Sequence, residues 1–518
     1  MEVTRLRTTS AAAVALLALA GCTTTSPGTP SSSGPVPAGL GGYYTQEVAW
    51  GSCEGFATTQ QDEEAFAAPG LQCGRVDVPL DYAAPEERTA SIALLRRPAG
   101  DPGARIGSLL INPGGPGASG TAGAASLAGA VAGTELGRRF DLVGFDPRGV
   151  GVSEPAVRCR TTEEMDAERL DLDVDSSPAG VAQTEAEEQD FAELCADRVG
   201  PEVLATVGTR DVAKDLDVLR AALGDEALTY LGFSYGTRIG TEYAEQFPGN
   251  VRALVLDGAL DPAEDTVESL VNQGAGFQGS FDAFVDSCLA QPDCWAQGPV
   301  ETTEAQFQEL LRPLQTAPLP VGNRLLSYDD AVTGAIQALY SDQLWPILDQ
   351  GLRALAAGDG TVLLLLADIY YQRDADGYSG SQAAFTAVRC VDDPPVTDPA
   401  EFLEADRRYR EMAPFLDDGN PPSPARDACA FWPVPPTGEP GLPDVGGLAP
   451  VLVISTTGDP ATPYQAGVQL AQALGARLLT FEGNQHTVAL NGVPCVDDAV
   501  TAYLVDGTLP AEGTRCAP

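Results

Sequence analysis

Short apolar runs alternate with longer stretches of helical periodicity along most of the chain. This alternation is typical of an α/β protein in which helices join mostly parallel strands. Strands are predicted at 92–96, 108–112, 142–146, 229–233, 253–257, 451–455 and 477–481.

Two helices are predicted near the middle of the chain. In 209–223 apolar residues recur on one face, and Thr209 is expected to cap the N-terminus of this helix. The other helix is predicted to begin at Ser234 and to end near residue 247, because a Pro-Gly pair follows.

Helical patterns without parallel strands fill the region between the predicted strands 253–257 and 451–455. Helices are predicted there at 280–289, 304–314, 329–340, 344–357, 361–372 and 401–412. We therefore expect a sheet domain of residues 43–261 and 447–518, with a helical lid domain of residues 262–446 inserted between late strands.

The charge balance limits the classes of partner. The 518 residues include 73 acidic and 30 basic side chains, a formal net charge of −43. Phosphate repels such a polyanion, so no nucleic-acid partner is expected.

His486 is the single histidine, which argues against zinc and haem sites and leaves open only metals with oxygen ligands, such as calcium. No metal or cofactor is expected.

The N-terminus has the pattern of an export signal. Two arginines precede an apolar run at 11–20 that is too short to span a bilayer, and a Leu-Ala-Gly-Cys sequence like a bacterial lipobox ends at Cys22. Residues 1–21 are predicted to be a lipoprotein signal peptide, Cys22 to be lipidated, and 22–42 to be a flexible tether. The alternative is an ordinary signal peptide with a chance cysteine. The expected location is the cell envelope, anchored to the outer face of the cell membrane, or secreted.

Ten cysteines remain beyond Cys22, an even number that favours disulfides in an exported protein. Sequence neighbours give five local pairs, although the sequence does not fix the connectivity: Cys53/Cys73, Cys159/Cys195, Cys288/Cys294, Cys390/Cys429 and Cys495/Cys516. The acidic stretch 163–193 is predicted to be a solvated helical excursion held by the second of these pairs.

Candidate chemistry centres on residues 232–236, which read Gly-Phe-Ser-Tyr-Gly. A predicted strand precedes this G-x-S-x-G motif and a predicted helix follows it, which is the context of a nucleophile elbow. Ser234 is therefore the predicted nucleophile. A serine hydroxyl needs a base, and His486 lies in the loop after the predicted strand 477–481.

The third member of a catalytic triad orients the imidazole. Asp459 follows the predicted strand 451–455 and precedes His486, which gives the chain order Ser, Asp, His. Asp257, at the end of the preceding strand, is the competing candidate. Thr462 is expected to help pack the triad.

An oxyanion hole needs two backbone N–H groups that point at the developing negative charge. The N–H of Tyr235, directly after the nucleophile, is one candidate. The loop after the predicted strand 108–112 reads Pro-Gly-Gly-Pro-Gly and supplies the other, with Gly115 preferred and Gly114 as the alternative.

Three motifs together resemble those of the proline iminopeptidase-like serine peptidases: Gly-Gly-Pro-Gly at 114–117, Asp-Pro-Arg-Gly-Val-Gly-Val-Ser at 146–153 and Gly-Phe-Ser-Tyr-Gly-Thr at 232–237. The chain is more similar to actinobacterial secreted tripeptidyl aminopeptidases and mycobacterial cell-envelope lipoprotein hydrolases. Pro113 stands where proline iminopeptidases have histidine, which favours the tripeptidyl group. The resemblance covers about residues 48–518 and implies an α/β-hydrolase fold in which Asp146 and Arg148 shape the oxyanion loop.

The resemblance also implies an activity. Short peptides would be released from a free N-terminus through an acyl-enzyme on Ser234, as in a tripeptidyl aminopeptidase. Such an enzyme needs carboxylates to hold the substrate ammonium, and Asp392 and Asp393 in the lid are the candidates. A carboxylesterase or lipase acting on small esters is the alternative enzyme, and a non-catalytic binding lipoprotein is the alternative of another class. The protein is expected to be a monomer that reaches the membrane only through its lipid anchor.

Overall fold

The computed structural model describes residues 36–172 and 174–518. The predicted signal peptide, the predicted lipidation site Cys22 and most of the predicted tether lie outside these residues. Strands, in chain order, are β1 (Gln72–Pro79), β2 (Thr89–Arg97), β3 (Gly107–Asn112), β4 (Phe140–Phe145), β5 (Leu228–Phe233), β6 (Val251–Asp257), β7 (Leu319–Val321), β8 (Arg324–Leu326), β9 (Arg373–Asp374), β10 (Gly377–Tyr378), β11 (Leu452–Thr456), β12 (Arg477–Phe481) and β13 (Arg515–Cys516).

Helices flank the main sheet and build the lid. They are α1 (Gly41–Tyr44), α2 (Gln60–Phe66), α3 (Gly120–Val131), α4 (Glu135–Arg139), α5 (Thr162–Glu168), α6 (Pro178–Val199), α7 (Pro201–Leu204), α8 (Thr209–Ala222), α9 (Tyr235–Gln246), α10 (Thr266–Leu289), α11 (Thr303–Leu311), α12 (Tyr328–Leu339), α13 (Trp345–Ala356), α14 (Thr361–Tyr371), α15 (Ser381–Asp392), α16 (Pro399–Met412), α17 (Tyr464–Leu474) and α18 (Pro494–Asp506).

Nine strands form one sheet in the order β1-β2-β4-β3-β5-β6-β11-β12-β13. The β1–β2 and β2–β4 pairs are antiparallel, and every other neighbouring pair is parallel. Strands β3, β4 and β5 are buried at every position, as expected for central strands covered by helices on both faces. All seven predicted strands are present, and the predicted fold class is confirmed.

The two faces of the sheet carry separate hydrophobic cores. Helices α8 and α9 pack on one face through side chains such as Leu216 and Ile239. Helices α3 and α18 cover the other face, with Ala124 and Val500 among the buried residues. Because parallel strands end at one edge, the loops after β3, β5, β11 and β12 meet there.

The lid helices α10 to α16 lie between β6 and β11, as the helical patterns predicted. They enclose a third core rich in aromatic rings, in which Phe281 stacks on Phe415 with centroids 4.6 Å apart. The acidic excursion, α5 and α6, packs on the lid side: Arg169 pairs with Asp330 at 2.7 Å. The excursion is therefore not merely solvated, since it supports the lid.

Two details of the predicted helices are wrong. Helix α15 was not predicted, because its buried face consists mainly of alanine and valine and it begins in a Ser-Gly-Ser sequence. Thr209 is not the cap of α8. Gly208 occupies that position, and the Thr209 hydroxyl instead donates to a carboxylate of the lid, that of Asp392.

Five disulfides join the cysteines of the described chain in the pairs expected from sequence neighbours. Cys159–Cys195 fastens α6 to the loop before α5, and Cys390–Cys429 fastens the end of α15 to the segment that leads back to the sheet. The other three pairs are Cys53–Cys73, Cys288–Cys294 and Cys495–Cys516.

The surroundings of Cys73 go beyond the sequence-based prediction. The sequence predicts Cys73 as a disulfide partner of Cys53, which is confirmed, and predicts no strand around it. Cys73 lies in β1, opposite Leu95 of β2, and is buried in the core that α3 and α18 cover. Its backbone also exchanges hydrogen bonds with Gly51, at 2.8 and 3.0 Å. The Cys53–Cys73 disulfide therefore fastens the N-terminal segment to the outermost strand of the sheet.

Within the described ranges, none of the helices has the length and apolar character needed to cross a membrane.

Candidate active site

The turn between β5 and α9 holds Ser234 in a strained conformation. Its φ of 54° and ψ of −126° lie in a region of backbone conformation that residues other than glycine rarely adopt. Flanking glycines make the turn possible: a Cβ on Gly232 would lie 2.4 Å from the carbonyl oxygen of Gly236, and a Cβ on Gly236 would lie 2.7 Å from that of Asn112. The serine therefore sits on the strand–turn–helix element expected for a nucleophile.

His486 and Asp459 meet at the same edge of the sheet. The imidazole Nδ1 lies 2.9 Å and 3.0 Å from the two carboxylate oxygens of Asp459. The backbone N–H groups of Ala461 and Thr462 both donate to Oδ1 at 2.9 Å, and the Thr462 hydroxyl donates to Oδ2 at 3.0 Å. These donors hold the carboxylate in one orientation.

This pairing determines the protonation of the imidazole. Burial lowers the pKa of His486, but the charge and hydrogen bond of Asp459 outweigh burial, and the net pKa lies above its usual range. A proton on Nδ1 directed at Asp459 leaves Nε2 unprotonated in the neutral ring, so that Nε2 is the nitrogen available as a base.

Asp257, the competing candidate, occupies another place. Its Oδ2 accepts the backbone N–H groups of Val488 and Ala489, each at 2.7 Å. Burial raises the pKa of Asp257 to about 6. The residue thus anchors the loop that follows His486, while the imidazole Nδ1 is hydrogen-bonded to Asp459.

The glycine-rich loop after β3 rests on the nucleophile turn. A Cβ on Gly114 would lie 2.8 Å from the Ser234 Cβ and 3.0 Å from the Tyr235 nitrogen. The N–H of Gly114 already donates to the Asn112 side chain at 2.9 Å. In contrast, the N–H groups of Gly115 and Tyr235 have no protein acceptor in the described part of the chain. This difference favours the Gly115–Tyr235 pair as oxyanion donors over the alternative with Gly114.

Asp146 and Arg148 both make structural hydrogen bonds within the sheet domain. The carboxylate of Asp146 accepts hydrogen bonds from the Ser119 hydroxyl at 2.7 Å and the Thr121 N–H at 3.0 Å, and so fixes the start of α3 directly after the glycine-rich loop. The guanidinium of Arg148 is buried and binds both oxygens of Asp215 at 2.5 and 2.7 Å.

A cavity of about 490 Å³ opens above Ser234, and Gly115 and Tyr235 also line it. Its wall is acidic, with three arginines, Arg210, Arg238 and Arg389, and eight carboxylates, those of Glu242, Glu245, Asp261, Glu264, Asp265, Asp392, Asp393 and Glu439. The cavity lies between the sheet edge and the lid, where a substrate carbonyl can reach the serine.

Asp392 and Asp393 line this cavity, and each has a partner in the sheet domain. Asp392 accepts from the backbone N–H of Thr209 at 2.6 Å, and burial raises the pKa of Asp392 to about 6. Both oxygens of Asp393 are bound by Arg238, at 2.6 and 2.7 Å. Glu264, also in the wall, has no basic partner among the described residues and accepts only from Asn272 at 2.7 Å.

Sequence reasoning missed several residues that shape the site. The Asn112 side chain accepts a hydrogen bond from the N–H of Gly114. The backbone carbonyl of Tyr340, in the lid, accepts one from the N–H of His486. Asn112 ends a predicted strand beside the glycine-rich loop, and this polar residue after a buried run was the available signal. Tyr340 carried no signal, because its contact depends on how the lid is placed on the sheet.

Comparisons with known proteins agree with this geometry. A family model described as the alpha/beta hydrolase fold matches residues 107–493. Serine protease Hip1 of Mycobacterium tuberculosis is 46% identical over 482 residues, covering 91% of each chain. Carboxylesterase B of the same species is 49% identical over 481 residues, covering 91% of this chain and 90% of its own. Tripeptidyl aminopeptidase of Streptomyces lividans is 33% identical over 461 residues, covering 86% of this chain and 84% of its own. The chain belongs to the α/β-hydrolase fold family.

Proposed function

We propose that this protein is a serine hydrolase that releases short peptides from the free N-terminus of a peptide substrate. The observation that carries the proposal is the hydrogen bond between the His486 imidazole and Asp459, at the same edge of the sheet as the strained Ser234. The similarity to proteins named serine protease and tripeptidyl aminopeptidase supports the peptide as substrate class.

The reaction follows from the placement of these groups. His486 Nε2 takes the proton of the Ser234 hydroxyl while Oγ attacks the substrate carbonyl carbon. The N–H groups of Gly115 and Tyr235 stabilise the negative oxygen that forms. The C–N bond then breaks, the leaving amine takes the proton from the imidazolium, and the acyl group remains as an ester on Ser234. Water, activated by the same imidazole, hydrolyses this ester and releases the short peptide as a carboxylate.

An exopeptidase of this type needs a negative group for the substrate ammonium, and the acidic cavity wall provides several. We propose Glu264 as this group, because no arginine or lysine side chain of the described residues pairs with its carboxylate. Burial, followed by the charges of Asp261, Glu268 and Asp265, raises the pKa of Glu264, and a bound ammonium would relieve that repulsion. Asp392 and Asp393 remain the alternative, although an ammonium would have to compete there with Thr209 and Arg238.

A carboxylesterase is the second candidate function, favoured by the 49% identity to the protein named carboxylesterase B. The same serine, histidine and aspartate hydrolyse esters as well as amides, so the site geometry alone fits both.

We also propose, from sequence alone, that Cys22 carries a lipid anchor. Replacing Cys22 by serine should then release the protein from membranes into the medium.

The experiment uses the purified protein from residue 36 onward, which keeps α1 and the buried Leu40, with Ser234→Ala as the control. Three chromogenic substrates are compared: an aminoacyl amide, a free-amine tripeptidyl amide and the same tripeptide N-acetylated. We expect cleavage of the free tripeptide alone, and none in the control. Hydrolysis of a p-nitrophenyl ester without any of the three amides would assign the protein as an esterase. Turnover of no substrate and no labelling by a fluorophosphonate would indicate a binding protein.

A further inference from the structure

The lid is hydrogen-bonded through its backbone to the loop that carries His486. The His486 N–H donates to the carbonyl of Tyr340 at 2.8 Å, and the Asp342 N–H donates to the carbonyl of Asn484 at 3.1 Å. Ser341 and Gln485 form an antiparallel bridge between these two bonds. Three consecutive lid residues therefore pair with the catalytic loop as a short strand would.

The Tyr340 side chain also touches the imidazole itself. Its ring lies edge-on to the His486 ring, with centroids 5.6 Å apart and planes at 70°. Phe277 of α10 packs against Tyr340 in the same manner, at 5.3 Å and 70°. A rigid aromatic contact of this kind restricts rotation of the imidazole away from Asp459.

Helix α10 makes a matching contact with the loop of the triad acid. The Gln273 side chain donates to the carbonyl of Ala461 at 3.1 Å. A Cβ on Gly276 would lie 2.5 Å from the carbonyl oxygen of Pro460, so the helix backbone lies directly against this loop. The Ser280 hydroxyl donates to the carbonyl of the last residue of α12 at 2.8 Å and ties the two helices together. One unit of the lid thus contacts both loops.

We propose that Tyr340 is a positioning residue that holds the His486 imidazole against Asp459, and that docking of the lid is therefore part of the catalytic apparatus. The inference rests on His486 being the base of the proposed hydrolase. Displacement of α10 and α12 would break the hydrogen bonds at Tyr340 and Asp342 and release the imidazole, so the lid cannot open at this end without disabling the site.

The single histidine makes the test direct, because protein labelled with ¹⁵N-histidine gives one imidazole spin system. In the unchanged protein we expect one downfield Nδ1 proton resonance, protected from exchange by Asp459. Tyr340→Leu keeps an apolar side chain but removes the ring, and should broaden or abolish this resonance. Tyr340→Phe keeps the ring and should retain it. Phe307→Leu removes a ring of the lid core whose aromatic contacts are with Phe281, Trp295 and Phe415; it is the matched control and should also retain the resonance.

Kinetics per active site, counted by fluorophosphonate titration, give the second measurement. In Tyr340→Leu we expect kcat to fall by about 10- to 100-fold with KM unchanged, because the base is misplaced rather than the substrate. An unchanged imidazole resonance in Tyr340→Leu would overturn the proposal, whatever the protein hydrolyses. Loss of kcat in Tyr340→Phe with the resonance intact would overturn it as well, since the hydroxyl would then act on the substrate. The imidazole resonance is measured without substrate, whereas the proposed function is tested by hydrolysis. A failure of the positioning proposal can therefore be distinguished from a failure of the proposed function.

Discussion

Arg238 binds both carboxylate oxygens of Asp393, at 2.6 and 2.7 Å. Arg238 lies on α9, the helix that begins directly after the nucleophile, and Asp393 directly follows the lid helix α15. This two-pronged contact fastens the lid to the element that carries Ser234. A bidentate pair is both stronger and more directional than a single charge contact.

Replacing Asp393 by alanine should destabilise the protein. Arg238 would lose both of its charge-assisted hydrogen bonds in a largely covered position, at a cost of about 1–3 kcal/mol. Thermal or urea unfolding measures this loss. Glu404→Ala, which breaks an ion pair with Arg407 on the exposed face of α16, is the matched control and should unfold like the parent. Equal unfolding of the two variants would contradict a docking role for Asp393.

Thr462→Val should lower catalysis without preventing folding. The change is nearly isosteric, but it removes the hydroxyl that donates to Asp459 Oδ2 at 3.0 Å and lies 3.3 Å from His486 Nδ1. A buried carboxylate would lose one donor, and kcat/KM should fall by about tenfold. Thr462→Ser, which keeps the hydroxyl, should recover most of the activity. If valine and serine gave the same rate, the hydroxyl would have no part in orienting the triad.

The dependence of kcat/KM on pH should have its acidic limb above the ordinary histidine pKa of about 6.5. The base must be neutral, and Asp459 holds the pKa of His486 above its usual range against the opposing effect of burial. The rate therefore rises as pH increases through the raised pKa. In Asp459→Asn the larger raising charge is gone and burial is opposed only by the weaker effect of Asp257 on the His486 pKa. The limb should therefore move to lower pH while the plateau falls by about 10⁴-fold. A limb that stays in place would show that another group titrates.

Glu264→Gln tests the ammonium site. Loss of the carboxylate should raise KM for the free-amine tripeptidyl substrate by about tenfold, because a charge-assisted contact is removed. KM for a p-nitrophenyl ester without an amine should not change. Asp392→Asn and Asp393→Asn form the second arm of the same experiment. A selective rise in KM in either of these variants, with none in Glu264→Gln, would move the site to the lid carboxylates.

Much of the fold and of the candidate triad could be predicted because the signals are local. The strand before Ser234 is buried at each position and therefore reads as a continuous apolar run. The order of Ser234, Asp459 and His486 could be read directly because each follows a strand of one parallel sheet.

The two outer strands were harder to predict. Strand β13 has two residues, which carry no periodicity. Strand β1, which contains Cys73, was missed because Arg75 and Asp77 interrupt its apolar positions. The cysteine pairing could be predicted from nearness along the chain, but the burial of Cys73 in the sheet could not.

Contacts between the lid and the sheet were beyond prediction. Thr209 and Asp392 are separated by 183 positions, and Arg238 and Asp393 by 155. A carboxylate on a lid helix appears the same in the sequence whether it binds an arginine or a substrate. Only the placement of α15 against α8 and α9 showed that Asp392 and Asp393 already have partners.

The central claim is that Ser234 is a nucleophile activated by His486. Its most direct test is mass spectrometry of the protein after reaction with a fluorophosphonate, with Ser234→Ala and His486→Ala treated in parallel. The account predicts one adduct per chain, on the peptide that contains Ser234, with none in Ser234→Ala and labelling of His486→Ala slowed by at least about 10³-fold. An adduct on another residue, or equal labelling of His486→Ala, would contradict it.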